Sequence, residues 1–302
     1  MQKPEWSRTD SFKMKSARVP NDTKQIEIQG GQVDNFYLKL NKFARFEQNF
    51  NERRNEWDRK FIFIKGGKFQ IQANFGDLFS KKSQLSDRIL TSAKSLFPNK
   101  GQLVSAQFKP EWRFVTGLGG HSVYETGITL HHVYGVPYIP ASSIKGVLRS
   151  WIIYSKFEND EKKAFYDKEF CHVFGCPAQS ALGKAYQGNV TFFDALPTEA
   201  PMIEPDIMNP HYPKWYSGER RAPVDTESPV PIFFLTVKQT PFQFIMATKP
   251  KQDEKVWDLI SKEFWGKKLM AWLTEALSEH GIGAKTAVGY GYMTRINNSE
   301  QV

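Results

Sequence analysis

Two basic residues, Lys145 and Arg149, stand four positions apart in a segment whose pattern predicts a helix. Residues with this spacing share one face of a helix. Ser142 and Ser143 lie at the predicted helix start, where a hydroxyl can accept hydrogen bonds from the N–H groups of the first turn. Hydroxyls, amides and cations together suit the phosphodiester backbone of a nucleic acid. A solvated basic face is the alternative interpretation.

The segment Gly117-Leu118-Gly119-Gly120 could bring backbone amides close to a phosphate. It does not match the dinucleotide-binding pattern, because Ser122 stands where the last glycine is required. His121 follows the glycines, and an imidazole titrates close enough to neutral pH to act as a general base. A polar loop contact is the other interpretation of this histidine.

A second glycine-rich segment runs from Gly281 to Gly291 and contains Lys285. It resembles a phosphate-binding loop, but Glu279 and Ala284 occupy the two positions that require glycine. The segment also follows a predicted helix and precedes a strand, the reverse of the order that a phosphate loop needs. We expect either a loop that approaches a ligand closely or a helix cap followed by a turn. Its candidate contact residues are Gly281, Gly283, Lys285, Thr286 and Gly289.

Neither a metal site nor a catalytic cluster is predicted. Cys171, His172 and Cys176 provide too few ligands for tetrahedral zinc, and no second ligand pair is nearby, so core cysteines are expected. The separated aspartates Asp194, Asp206 and Asp225 form no pair suited to metal-dependent nuclease chemistry. We therefore expect no cofactor, no metal and no catalytic residue, which favours a binding role.

The composition indicates a globular protein with a basic surface. The chain has 302 residues, a formal net charge of +9 and a pI near 9.3, which is compatible with a polyanionic partner. No apolar stretch is long enough for a membrane-spanning helix, and the first residues lack the apolar centre of a secretory signal. With only two cysteines, a cytoplasmic location without disulfide bonds is expected.

The predicted elements divide the chain into consecutive regions. Residues 1–30 form a polar arm, and residues 31–102 form an extension with an amphipathic helix from Leu40 to Lys60 and a hairpin around Gly66 and Gly67. Residues 103–295 form the main domain, followed by a tail at 296–302. Within the domain, the predicted strands are 103–115, 133–139, 188–195, 231–237, 242–248 and 290–295, and the helices begin at Ser142 or Ser143 and at Val256, the second ending before Gly281. This order predicts an α+β fold with an antiparallel sheet and helices on one face.

Prolines concentrate between residues 197 and 231. Because proline cannot donate to a ladder or continue a helix, this segment is predicted to be a long irregular insertion. Tyr212, Trp215 and Tyr216 indicate a structured protrusion that packs against another surface.

Several motifs resemble those of one family. Tyr138-Ile139-Pro140-Ala141-Ser142-Ser143-Ile144-Lys145-Gly146-Val147-Leu148-Arg149 is similar to the motif Ile-Pro-Gly-Ser-Ser-Leu-Lys-Gly-x-Leu-Arg of the RAMP proteins, which are RNA-binding subunits of CRISPR effector complexes. Val173-Phe174-Gly175, the strand from Gly188 and the loop from Gly281 follow in the family's order. The segments 116–119, 125–137 and 206–212 resemble the type III-B (Cmr) group, in the subunit family conventionally numbered six. Ala141 stands where the family usually has glycine.

The resemblance implies a ferredoxin-like (RRM-like) core with a protruding insertion. It also implies a non-catalytic subunit at the head of a Cmr complex in antiviral defence, holding the 3′ part of the guide RNA (crRNA) beside target RNA and other Cmr subunits. The RNA-contacting residues would be the two serines, the two basic residues of the predicted helix and the residues of both glycine-rich loops. Two alternatives remain: a metal-independent endoribonuclease of the same superfamily with His121 as base, and a pure protein-interaction subunit held by aromatic surfaces.

Overall fold

The computed structural model describes residues 33–44, 73, 75–79, 85–99, 101–224, 231–248 and 262–296, together with the backbone of short strands between residues 7 and 69. The chain divides into two compact units. The first unit contains Met1–Phe75, Gly117–Val136 and Ile203–Thr236, and the second contains Gly76–Thr116, Pro137–Met202 and Val237–Val302. The consecutive regions drawn from the sequence stay a prediction.

Short helices and strands alternate along the described chain. The helices are α1 (Phe36–Lys42), α2 (Leu85–Leu96), α3 (Ala141–Lys156), α4 (Glu161–Phe165), α5 (Lys168–Phe174), α6 (Pro213–Tyr216) and α7 (Leu269–Glu275), which continues as a π-helical turn over Ala276–His280. The strands are β1 (Ser7–Arg8), β2 (Arg18–Val19), β3 (Phe46–Asn51), β4 (Glu56–Phe61), β5 (Ile64–Lys65), β6 (Lys68–Phe69), β7 (Leu103–Pro110), β8 (Arg113–Phe114), β9 (Gly175–Cys176), β10 (Tyr186–Gln187), β11 (Val190–Phe192), β12 (Leu196–Pro197), β13 (Met202–Met208), β14 (Ile232–Lys238), β15 (Phe242–Thr248) and β16 (Met293–Ile296). Gly76–Phe79 and Thr286–Val288 are 3-10 turns.

An antiparallel sheet forms the centre of the second unit. Its strand order is β11-β15-β7-β16, with β12 also paired to β15. The central strand β15 is buried along its whole length, as expected for a strand with neighbours on both sides. In the ladder between β15 and β7, Phe244 lies opposite Ala106 and Phe242 lies opposite Phe108.

Two helices cover this sheet. α3 contacts β11, α7 contacts β7 and β16, and the two helices also contact each other. Ile144, Leu148 and Ile152 recur every four residues along α3 and are buried, which gives the helix a single apolar stripe. The indole of Trp272 in α7 is fully buried and donates a hydrogen bond of 2.7 Å to the carbonyl of Phe264. The α+β architecture with an antiparallel sheet is therefore present as predicted.

The first unit contains helix α1 and a separate sheet with the strand order β1-β2-β3-β4. The Asn35 side chain caps α1 by accepting a hydrogen bond from the Leu38 N–H, and its amide donates to the carbonyl of Val133 at 2.9 Å. Phe36 and Leu40 are the buried residues of this helix. The predicted hairpin around the glycine pair is confirmed, because β5 pairs with β6. Most of the predicted polar arm lies outside the described residues.

The predicted helix from Leu40 to Lys60 is wrong. Helix α1 ends at Lys42, and β3 and β4 then form an antiparallel pair in which Phe46 lies opposite Phe61 and Phe50 lies opposite Trp57. Residues four positions apart, such as Phe46 and Phe50, lie on the same side of a helix and also on the same face of a strand. Their spacing therefore fits both structures, and the pairing of β3 with β4 makes this segment a strand.

The predicted strand from Val133 to Ile139 is also wrong. Residues 131–135 form a turn in which the Gly135 N–H donates to the carbonyl of His131 at 2.7 Å. Gly135 has a φ of +69°, and a Cβ there would lie 2.6 Å from the Phe36 nitrogen, so contact with α1 requires glycine and a turn. Ile139 makes only a single bridge, to Ala195.

The proline-rich segment from 197 to 231 is more regular than expected. It contains strand β13 and the short helix α6, while residues 225–230 lie outside the described residues. Proline is tolerated in β13 because this strand lies at the edge of the sheet β13-β14-β8. An edge strand can lack a backbone N–H on its open side without losing a ladder hydrogen bond. Strands β14 and β15, which match the predicted strands 231–237 and 242–248, follow each other in the chain but belong to different sheets.

The second predicted helix is only partly described, because residues 249–261 lie outside the described residues. A turn over 264–267 contains Gly266 at a φ of +83°, and α7 begins only at Leu269, later than the predicted start at Val256. The helical segment ends at Gly281, with a φ of +73° and a ψ of 172°. The positive φ fits glycine, but the ψ value directs the chain into an extended path and not into the left-handed helical region that a glycine cap usually adopts.

Candidate functional site

The start of α3 is held by a residue from the segment between β11 and β12. Helix α3 begins at Ala141, and its N–H donates a hydrogen bond of 2.7 Å to the carboxylate of Asp194. The prediction that Ser142 or Ser143 caps the helix is wrong, because Pro140 is the N-cap residue and no side chain caps from that position. Both serines are instead exposed on the first turn of the helix. Their hydroxyls are consequently available to an external partner.

Lys145 and Arg149 share a face of α3, but their surroundings differ. Arg149 forms an ion pair with Glu161, and its guanidinium carbon lies 5.3 Å from the ring centroid of Phe170. Lys145 is half-buried and has no ion pair in the described part of the chain. Burial, and then the charge of Arg149, lower the pKa of Lys145 from its ordinary value. An anion that approached Lys145 would neutralise a charge that the described part of the chain leaves without an ion pair.

Gly146 lies in the interior of α3 beside Lys145 and is exposed. A Cβ built on this residue would meet no atom within 4 Å. Glycine in a helix interior costs about 1 kcal/mol relative to alanine, and no packing within the described chain requires it. Together with Ser142 and Ser143, it leaves the first two turns of α3 without bulky exposed side chains next to a cation.

The loop from Gly281 to Gly291 is closed by its own backbone and anchored to the end of β8. The Ile282 N–H donates to the carbonyl of Gly291, and the Ala284 N–H donates to the carbonyl of Val115 at 2.8 Å. A Cβ at Gly283 would lie 2.3 Å from that same Val115 oxygen, so this glycine is required by internal packing. The cap-and-turn interpretation therefore describes much of the loop.

The tip of the same loop has a different character. Lys285 adopts a left-handed conformation, with a φ of +63°, and begins the turn Thr286–Val288. Gly289 follows with a φ of +93°, is exposed, and has no atom within 4 Å of an added Cβ. This tip combines a lysine and a small residue with open space around it, which is what close approach to a phosphate requires.

The first glycine cluster belongs to the first unit. Gly117 has a φ of +73°, and a Cβ there would lie 2.3 Å from the Thr129 hydroxyl oxygen, so its glycine serves internal packing. Gly119, Gly120 and His121 are exposed. No hydrogen bond orients the imidazole of His121 within the described residues, so it lacks the positioned partner that a general base normally has.

The two cysteines lie close together in the second unit. The Cys171 thiol is buried and donates to the carbonyl of Phe165 at 3.2 Å, while the Cys176 sulfur lies 3.1 Å from the Ser180 hydroxyl oxygen. Burial, followed by the neighbouring Cys176, raises the pKa of Cys171 to about 12. Among the described residues, no cluster of three or more His, Cys, Asp or Glu could hold a metal ion.

The structure thus groups the predicted residues into three places. Ser142, Ser143, Lys145 and Arg149 lie on one helix, the residues of the 281–291 loop lie elsewhere in the second unit, and the 117–121 cluster belongs to the first unit. Sequence reasoning missed Asp194 as the partner of the α3 N-terminus, since its hydrogen bond spans 53 residues. It also missed Trp112, an exposed aromatic residue that the pattern of β7 and β8 gave no reason to single out.

Comparison with known proteins shows the family. The sequence profile of the RAMP superfamily matches residues 61–294, well over half of the chain. The CRISPR system Cmr subunit Cmr6 of Pyrococcus furiosus is 35% identical over 245 residues, which are 64% of this chain and 68% of that protein. The chain belongs to the RAMP superfamily and to its Cmr6 family. Cmr6 of Saccharolobus solfataricus is 27% identical over 246 residues, which are 80% of this chain and 73% of that protein.

A solved structure supports the same relationship for this RAMP protein. In a cryo-EM structure of the type III-B Cmr-beta complex bound to cognate target RNA, one chain is 25% identical and superimposes with a TM-score of 0.50. The match covers 70% of this chain and 66% of that chain, just under two thirds of its length. The curated relatives carry the names of complex subunits and not of enzymes. Among the described helices, none combines the length and apolar character that crossing a bilayer requires.

Proposed function

We propose that this RAMP protein is a non-catalytic subunit of a type III-B CRISPR Cmr complex in the cytoplasm, where it binds guide RNA alongside target RNA and other Cmr subunits. The observation that carries the proposal is the surface formed by the first two turns of α3. There, Ser142, Ser143 and Gly146 are exposed beside Lys145, a cation without an ion pair in the described chain. We refer to these four residues as the α3 surface.

The chemistry of the α3 surface suits a phosphodiester backbone. Two hydroxyls can donate to phosphate oxygens, Lys145 supplies charge, and the absence of a side chain at Gly146 permits close approach. None of these groups reads base edges, so binding of this kind is independent of sequence. Sequence specificity would come from pairing between guide and target.

Arg149 contributes to this surface in a different way from Lys145. Its guanidinium already pairs with Glu161 and lies beside the rings of Phe165 and Phe170. A phosphate could recruit it only in competition with that carboxylate. We infer that Arg149 mainly holds α4 and α5 against α3, and that it adds a long-range positive potential.

We propose the loop tip around Lys285, with Gly281, Gly283, Thr286 and Gly289, as a second phosphate contact. The exposed Gly119, Gly120 and His121, beside Gly117, form a third. A glycine-rich backbone bearing one lysine can place N–H groups and a cation on the same anion. Support comes from Gly119 and Gly289, which are exposed and have open space where a Cβ would stand, and from the exposure of Gly120 and His121. Gly281, Gly283 and Gly117 would contribute by holding the path of their loops.

We also propose that the second unit is a ferredoxin-like core. In chain order, its elements β7, α3, β11, β15, α7 and β16 are strand, helix, strand, strand, helix and strand. Numbered within that series, the strands occur in the sheet in the order second, third, first and fourth. Contact between α3 and α7 supports placing both helices on one face.

We propose that the proline-rich segment 197–231 is the protruding insertion that contacts RNA or a neighbouring subunit. Trp215 and Tyr216 are exposed there, together with the basic residues Lys214, Arg220 and Arg221. Aromatic faces mixed with cations suit unpaired nucleotides. We propose, on the family resemblance, that the subunit lies at the head of the complex and holds the 3′ part of the guide.

Co-purification of the tagged full-length protein from its native cells, followed by sequencing of bound RNA, tests the proposal. We expect guide RNAs that share a protected 3′ region, together with several RAMP subunits.

Recovery of subunits without intrinsic RNA affinity would support the protein-interaction alternative. Cleavage of a repeat RNA to a 2′,3′-cyclic phosphate end, lost in His121→Ala, would support the endoribonuclease alternative. Either result would overturn the assignment.

A further inference from the structure

Trp112 stands at the turn between β7 and β8, at one end of the sheet in the second unit. About half of its surface is exposed, 48%, although tryptophan is normally well covered in a folded protein. The turn is well anchored, because the N–H of neighbouring Glu111 donates to the carbonyl of Tyr292 at 2.9 Å. The exposed indole therefore projects from a backbone with a defined path.

The indole is held in place by aromatic and cationic neighbours. The ring of Tyr290 packs against it with a centroid distance of 4.8 Å and an interplanar angle of 41°. The guanidinium carbon of Arg113 lies 5.7 Å from the indole centroid. Since these contacts restrict the side chain before any ligand binds, little further rotamer entropy would be lost on binding.

Trp112 also lies next to the glycine-rich loop. The Gly291 N–H donates to the carbonyl of Arg113 at 2.8 Å, which joins the loop to β8. The Tyr290 N–H donates to the carbonyl of Lys285, so the residue that supports the indole is also bonded to the proposed phosphate-binding tip. The backbone thus links the turn that carries Trp112 to the loop that carries the candidate phosphate contact, and we refer to the two together as the Trp112 patch.

We propose that Trp112 is a stacking platform for an unpaired RNA base whose backbone follows the Lys285–Gly289 loop tip. The inference rests on the proposed function and adds a base contact to it. Indole faces stack on any nucleobase, and stacking next to cations is the usual way in which proteins hold single-stranded RNA. Arg113 beside the indole and Lys285 in the loop are cations, and the exposed Glu111 is the carboxylate next to Trp112 in the chain. That balance favours a nucleic acid over an apolar protein surface.

The test compares affinity and salt dependence for single-stranded guide RNA in the purified full-length chain. Trp112→Leu is expected to weaken binding by about 5- to 160-fold, the equivalent of the 1 to 3 kcal/mol lost when one base-stacking contact is removed. The slope of log affinity against log salt should stay unchanged, because a neutral ring releases no counterions. Trp112→Phe, which retains a ring, should restore most of the affinity. Tyr166→Leu, at an exposed aromatic residue between α4 and α5, is the matched control.

A second measurement on the unmodified protein avoids dependence on mutant folding. Guide RNA containing 4-thiouridine is irradiated with the full chain, and cross-linked peptides are identified by mass spectrometry. Cross-links at Trp112 or Tyr290 are expected. The stacking proposal would be overturned if the wild type bound RNA without these cross-links and Trp112→Leu bound RNA with the same affinity as the wild type. The proposed function would stand in that case. Loss of subunit assembly with unchanged RNA affinity would assign the patch to a protein neighbour and equally overturn it. If the wild type binds no RNA, the proposed function itself fails.

Discussion

The guanidinium of Arg149 forms an ion pair with the carboxylate of Glu161, 12 residues further along the chain. The pair joins α3 to the first turn of α4. Lys145, one helical turn before Arg149, has no such partner in the described chain. Two cations that look equivalent in the sequence are therefore predicted to have different roles, Lys145 in RNA binding and Arg149 chiefly in holding helices together.

Salt dependence distinguishes these roles. Lys145→Met is expected to lower the slope of log affinity against log salt by about 0.7 to 0.9, the value for one phosphate contact. Arg149→Met should change the slope by less, and should lower the free energy of unfolding through the loss of its ring and carboxylate contacts. Removal of both cations should lower the slope by at most about two. Fluorescence anisotropy across a salt series measures this, and an unchanged slope in the double variant would contradict the α3 surface.

Lys145 should also cost the protein some stability. Because burial and Arg149 lower its pKa, the charged form is less favourable in the folded chain than in the unfolded chain. This penalty is present at neutral pH, below the pKa of the folded state, and is relieved as the pH rises through that pKa. Lys145→Met is therefore expected to raise the free energy of unfolding at pH 7 by a few tenths of a kcal/mol, since solvent screens a side chain this exposed.

Urea unfolding at neutral and strongly alkaline pH measures that difference. The gain over the wild type should shrink at alkaline pH, where the lysine is neutral in both states. A variant that loses RNA affinity while gaining stability would identify Lys145 as a functional residue. A large loss of stability at pH 7 would instead indicate a structural role.

Gly146 permits a steric test of the α3 surface. Gly146→Ala should raise the free energy of unfolding by about 0.5 to 1 kcal/mol, because alanine is the better helix former and its Cβ meets open space. Gly146→Gln should fold equally well but weaken RNA binding, since its side chain occupies the path of the backbone. Ser155→Gln, exposed at the far end of the same helix, is the control. Equal RNA affinity in both glutamine variants would place the RNA elsewhere.

Two glycines of the 281–291 loop are expected to differ in how much they contribute to stability. Gly283→Ala is expected to lower the free energy of unfolding by more than about 2 kcal/mol, because its Cβ would lie 2.3 Å from the Val115 carbonyl oxygen. Gly289→Ala should cost about 1 to 2 kcal/mol, the strain of a positive φ alone. Thermal unfolding compares the two. If both variants lost a similar free energy of unfolding, the packing of Gly283 against the end of β8 would add nothing to the stability of the loop.

Much of the local structure was predictable because it depends on neighbours close in sequence. The buried stripe of α3 follows from Ile144, Leu148 and Ile152 at helical spacing, and Gly281 marks the end of a helix in sequence as it does in the fold. The grouping of Ser142, Ser143 and Lys145 on one helix needed only that periodicity. The RAMP relationship was likewise visible in consecutive motifs, which the family profile bears out.

Contacts distant in sequence were decided only by the tertiary structure. Phe46 and Phe50 fit helix and strand equally well, and pairing with β4 made them a strand. The cap of α3 comes from Asp194, and Trp112 becomes a candidate ligand contact only because Tyr290 supports it. The periodicity of a sequence predicts which side of a helix or strand is apolar. The partner of a carboxylate or an aromatic ring depends instead on which distant segment lies beside it in the folded chain.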